Sequence, residues 1–86
     1  MNKGTIVVVT KGHSNNHPTP GHICTICRID ESAVPYLVNG HPNINNEGEW
    51  CEKVRGATYD EIQAYHQGIR DIKDMESAVI NNYEIY

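Results

Sequence analysis

The chain predicts a mainly β (α+β) fold, a small antiparallel barrel of about four to five strands followed by one long C-terminal α-helix. Three observations carry that expectation. Ile and Val far outnumber Leu, which occurs once, at Leu37, and Phe is absent. β-Branched side chains are stiff at χ1 and fit the pleated surface of a sheet. Short apolar runs alternate with turn-rich segments as far as residue 56, and beyond it the apolar spacing changes to three and four. At 86 residues the chain is one domain with a modest core. Residues 1–56 are the barrel, and residues 57–86 are a helix and tail packed on it.

The first strand, Thr5 to Thr10, sets Ile6 and Val8 on one face and Val7 and Val9 on the other. A strand apolar on both sides is covered on both sides, so one face lines the barrel and the other needs a lid. The loop Lys11 to Gly21 (KGHSNNHPTPG) is too rich in Gly, Asn and Pro to continue a sheet. The second strand runs from about His22 to Ile29, with Ile23, Cys27 and Ile29 inward and Arg28 outward. The third, Tyr36 to Val38, stops at Asn39-Gly40. After the loop Asn39 to Gly48 (NGHPNINNEG) comes a fourth strand, about Trp50 to Arg55, with Trp50 and Val54 inward.

The lid is a helix that begins at a capping box, Thr58-x-x-Glu61, in which side chain and backbone satisfy each other reciprocally. Ala57 and Ile62 occupy the staple positions, and Asp60 and Glu61 suit the positive end of the helix dipole. Ile62, Tyr65, Ile69, Ile72, Met75 and Val79 form one stripe. A helix from Tyr59 to about Ile80 is roughly 33 Å long at 1.5 Å per residue, whereas a barrel of short strands is about 20 Å across. Either the helix bends, at Gly68, or its far end finds another partner. The expectation is a homodimer built by Ile69, Ile72, Met75 and Val79.

The net charge of -4 is unevenly spread. Met1 to Arg28 holds Lys3, Lys11, Arg28 and three histidines with no acid, whereas six acids follow Ala57 against Arg70 and Lys73. An acidic chain is a poor general nucleic-acid binder, but a local basic face keeps that function open. Thr5 to Thr10 is too short an apolar run for a signal peptide or a membrane span. Three cysteines, an odd number, suit free thiols in a reducing cytoplasm.

Cys24-x-x-Cys27, with His13, His17, His22, His41 and Cys51 available, suggests zinc. In a regular strand, however, residues three apart face opposite sides about 10 Å apart, and strand formers surround both thiols. Only a bulge would bring them together, and the phase of Ile26 against Ile23, Cys27 and Ile29 makes one conceivable. No metal or other cofactor is expected. A zinc-stabilised domain stays an alternative.

No phosphate loop, nucleophile motif or paired-carboxylate cleft motif is present, so an enzyme is not expected. Cations beside aromatics on a small barrel are one way to hold single-stranded RNA. Lys11, Arg28, Lys53 and Arg55 supply the cations, and Tyr36 and Trp50 the stacking groups. The competing reading makes Tyr36 and Trp50 core and the cations ordinary solvated charges. A further alternative is a protein–protein module whose acidic helix face (Asp60, Asp71, Asp74, Glu76) meets a basic partner.

The pattern Lys3-Gly4-Thr5-Ile6-Val7-Val8-Val9, Gly21-x-Ile23-x-x-Ile26-x-Arg28-Ile29-Asp30, Pro35-Tyr36-Leu37-Val38 and Glu49-Trp50 resembles the small SH3-like barrels encoded by tailed bacteriophages. It covers about the first 55 residues. The aromatic-rich first-loop motif of eukaryotic-type SH3 domains is missing. Length, Asn- and Ile-rich composition and the barrel-plus-helix plan are also similar to counter-defence proteins of T-even-like phages, RNA-binding inhibitors of ribonuclease toxins among them. That resemblance implies a non-enzymatic homodimer in the host cytoplasm. It would bind RNA and a host protein, such a toxin being the candidate, and inhibit or redirect that protein.

Overall fold

The computed structural model describes residues 2–13, 18–40 and 48–80, with side chains in the last segment as far as residue 76. Five strands, β1 (Ile6–Lys11), β2 (Ile23–Ile29), β3 (Tyr36–Asn39), β4 (Glu49–Cys51) and β5 (Lys53–Gly56), form one sheet in the order β4-β3-β2-β1-β5. Every pairing is antiparallel. Two helices follow, α1 (Tyr59–His66) and α2 (Ile72–Ile80). Among the described residues no helix is long and apolar enough to cross a membrane. The mainly β class is as expected, and three details differ.

The first is closure. The expected fourth strand is two strands, split at Glu52. β4 lies on β3 and β5 lies on β1, at opposite edges of the sheet. Cys51 and Lys53 are two residues apart, so their Cα atoms are separated by no more than about 7 Å. The sheet therefore curls until its edges converge at Glu52, whose amide donates to the Lys11 carbonyl at 3.0 Å. β4 and β5 are not paired with each other, so the sheet is curled and open rather than a closed barrel.

The second is the phase of β2. Val7, Val9, Cys24, Ile26, Val38 and Cys51 form the inner cluster, with Tyr36 and Val54 packed against it. Val8, Ile23 and Tyr65 form a second cluster on the helix side, joined by Ile6, Ala57 and Ile72. The two-faced burial of β1 is as the alternation predicts. Ile23, however, belongs to the helix side, while Cys24 and Ile26 point inward. A bulge between Ile26 and Arg28, where Cys27 is the extra residue, restores Arg28 to the outward face.

The third is the helix, which is two helices. The Gly68 amide donates to the Tyr65 carbonyl at 3.1 Å and the Ile69 amide to the Ala64 carbonyl at 3.0 Å. That is a Schellman stop, and it requires the left-handed backbone that Gly68 adopts (φ +95°). The connector then pairs with the sheet: Ile23 donates to the Arg70 carbonyl and Ile72 to the Gly21 carbonyl, with a β-bridge from His22 to Asp71. Asp71 Oδ1 accepts from the Lys73 amide at 2.8 Å and starts α2. The bend falls at Gly68, the position at which the sequence allows it.

At the other end of the sheet, backbone contact is close. A Cβ on Gly48 would stand 1.8 Å from the Val38 carbonyl oxygen, so only glycine admits β4 beside β3.

Candidate nucleic-acid interface

The expected cations fall into two groups. Val54 packs against the inner cluster, which leaves its neighbours Lys53 and Arg55 facing outward. Lys53 stands opposite Lys11 and Arg55 opposite Val8, so Lys11, Lys53 and Arg55 share the outward side of the β1–β5 pair. A bulge between Val9 and Lys11 keeps Lys11 in step with Lys53. Lys11 lies 3.5 Å from the Glu52 carboxylate with its side chain 58% exposed.

Arg55 is committed to the fold. Its two terminal nitrogens donate to the two Glu61 oxygens, each at 2.8 Å, in a bidentate fork. Glu61 Oε1 also accepts from the Thr58 amide at 2.8 Å, and the Glu61 amide donates to Thr58 Oγ1, completing the capping box. The hydrogen bond from Arg55 holds the Glu61 carboxyl down at about 2, against the desolvation that would raise it. The same bond raises the Arg55 pKa.

Arg28 and Trp50 form the other group. Leu37 stands opposite Arg28 on one side and opposite Trp50 on the other, making a row across β2, β3 and β4. Because Tyr36 and Val38 turn to the inner cluster, this row faces outward. Trp50 is therefore half-buried on the outer face and not inward beside Val54. Tyr36 packs against the inner cluster.

The three cysteines are free. Cys24 and Cys51 are fully buried in the inner cluster, and burial pushes the Cys24 thiol up and the Cys51 thiol up to about 11. Thiols so protonated are poor ligands and poor nucleophiles. Among the described residues no group of His, Cys, Asp and Glu is arranged to hold a metal ion. His17 and His41 lie outside the described residues.

Of the stripe expected to build a dimer, Ile72 is packed into the helix-side cluster, and Ile69 and Met75 are half-buried. The Val79 side chain lies outside the described residues. The acids Asp60, Asp71, Asp74 and Glu76 are divided between α1, the connector and α2, so they do not make one helix face.

One cluster escaped the sequence reading. Tyr65, fully buried, shares a 2.8 Å hydrogen bond with Thr25 Oγ1 and donates to the Asn39 carbonyl at 3.2 Å. Arg70 lies over its ring, 4.2 Å from the centroid. His22 is half-buried beside them, and desolvation lowers its pKa despite the nearby Asp71 and Glu49 carboxylates. The signals in the chain were Gly68, the stop that exposes Arg70 on a connector, and His22, the start of a strand.

No family model, no curated protein and no solved structure matches the chain.

Proposed function

We propose that this protein is a non-enzymatic binding module that holds single-stranded RNA on the outward side of its β1–β5 strand pair. The observation that carries the reading is the cross-strand pair Lys11 and Lys53, two exposed ammonium groups in register on an edge of the sheet. Like charges set opposite each other cost stability unless a ligand or a carboxylate offsets them. Glu52 reaches Lys11 at 3.5 Å, and Lys53 faces outward beside it. Phosphate groups are the anions that successive cations along a strand edge can track. Arg55 completes the face as a cation whose position Glu61 fixes.

The biological setting comes from the resemblance of the sequence to small SH3-like phage barrels. In size and character the chain is similar to TifA, the RNA-binding inhibitor of the ToxN ribonuclease toxin. On this reading the protein is a phage counter-defence factor that inhibits or redirects a host protein, a ribonuclease toxin being the leading partner, and acts as a homodimer in the host cytoplasm.

The test is fluorescence anisotropy with a labelled oligoribonucleotide over a salt series. Wild type should bind with a steep salt dependence. Lys11→Glu with Lys53→Glu should weaken binding by at least about tenfold and flatten the salt slope by about 1.4, two phosphate contacts at about 0.7 each. Both side chains are exposed, so urea midpoints should stay close to wild type. Unchanged affinity in the double variant would remove this face as the site.

A further inference from the structure

The connector between α1 and α2 holds an arginine already fixed in place. The Arg70 guanidinium lies 4.2 Å from the Tyr65 ring centroid. Its Nη1 donates to the Tyr65 carbonyl and leans toward the Ile69 carbonyl. Both Nη1 hydrogens are thus directed at the backbone. No acceptor among the described residues meets Nε or Nη2. Those two nitrogens form the side of a guanidinium that matches a phosphate or carboxylate in a bidentate fork.

The Nε end of that fork lies beside Gly40. The point at which a Cβ on residue 40 would stand is 3.9 Å from Arg70 Nε and 3.9 Å from His22 Nε2. Both nitrogens therefore lie close to the end of β3, beside the same position. His22 pairs with Asp71 in a β-bridge, which ties it to the same connector. Two carboxylates, Asp71 and Glu49, also act on His22. Asp71 Oδ1 is turned away to the Lys73 amide at 2.8 Å.

We propose that the Nε–Nη2 edge of Arg70 and Nε2 of His22, beside Gly40, form a phosphate-binding site that seats a backbone phosphate of the bound RNA. The source of the phosphate rests on the RNA-binding reading above. The phosphate chemistry rests on the Arg70–His22 geometry alone. Stacking on Tyr65 and the carbonyl contacts have already removed most of the side-chain freedom of Arg70, so a ligand there orders little that is not ordered already. A lysine at this position would keep the charge and lose the planar fork.

The site makes binding depend on pH. His22 is faced by Asp71 and Arg70 from the connector and by Glu49 from β4. Protonation gives its ring a donor at both nitrogens, and a phosphate beside it favours that form. RNA affinity should therefore rise severalfold as the pH falls from about 8 to about 6, and His22→Gln should abolish the rise.

The experiment is a nitrogen-15 NMR titration of the whole chain with a single-stranded oligoribonucleotide and, separately, with inorganic phosphate. The Arg70 Nε–H and the His22 ring are followed in both. Both signals should shift and saturate with RNA, and Arg70→Lys should lower RNA affinity about tenfold. His22→Gln, which leaves the Arg70 stack in place, guards against a variant that fails to fold. If RNA binds and neither variant changes affinity or pH profile, the phosphate site is overturned while the RNA reading stands. If RNA does not bind but phosphate moves both signals, the site stands and the RNA reading falls. If neither probe moves them, the site is overturned.

Discussion

Glu61 accepts from the Thr58 amide and from both terminal nitrogens of Arg55, each at 2.8 Å, with its side chain 8% exposed. One carboxylate thus caps α1 and ties the helix to β5. Its pKa is depressed to about 2, first through the Arg55 hydrogen bond. A depressed carboxylate contributes stability that is fully present above its unfolded value, near 4.5, and is lost as the pH falls through about 2. Arg55 is 43% exposed, so solvent screening reduces the contribution to about 1–2 kcal/mol. Glu61→Gln should be less stable than wild type by that amount above pH 5, and the gap should close on acidification. Urea midpoints for both proteins from neutral pH to pH 2 check this, and a gap that stays constant over the range would refute it.

At the scale of elements, the chain was legible wherever one local signal decided the outcome. The alternation in Ile6, Val7, Val8 and Val9 implied two covered faces, and both are covered. Thr58-x-x-Glu61 implied a capping box, and it forms. The failures came where long-range pairing overrode a local pattern. Trp50 to Arg55 reads as one strand, yet the Glu52 amide bonds to Lys11 and the chain changes partners from β3 to β1 there. The stripe from Ile62 to Val79 reads as one helix, because three- and four-residue spacing survives a Schellman stop followed by a new N-cap. Gly68 and Asp71 were the visible marks of that break. The outward placing of Lys53 and Arg55 was also legible, whereas the Arg70–His22 site was not, since no local pattern links an arginine after a helix to a histidine before a strand. Gly68→Ala tests the break. A Cβ there meets no atom within 4 Å, so the cost is the left-handed backbone alone, about 1 kcal/mol. Helix content by circular dichroism should not rise, because residues 70–72 stay paired with residues 21–23. A marked rise would mean that Gly68 alone, and not the sheet pairing, divides the helix.

The whole molecule wraps one sheet around a small inner core and covers its other face with α1 and the start of α2. Apart from Tyr65, the largest fully buried side chains are Ile, Val and Cys, a modest apolar content for a chain of 86 residues. Domains of this size often gain stability from a second copy. Ile72 anchors α2 on the sheet, and Met75 and Val79 continue the same helix face by spacing. We propose that this distal face meets its equivalent in a second chain. Light scattering should then give a dimer mass at high micromolar concentration, and Met75→Asp with Val79→Asp should halve it. Dimerisation would also place two Lys11–Lys53 faces in one particle, so a long RNA could engage both with an avidity that a short one cannot. The same double variant should therefore weaken binding of long RNA far more than binding of short RNA, with the salt slope for short RNA unchanged. Equal loss for both lengths would mean that α2 shapes the RNA site itself, and a monomer mass for wild type would leave each chain to bind RNA alone.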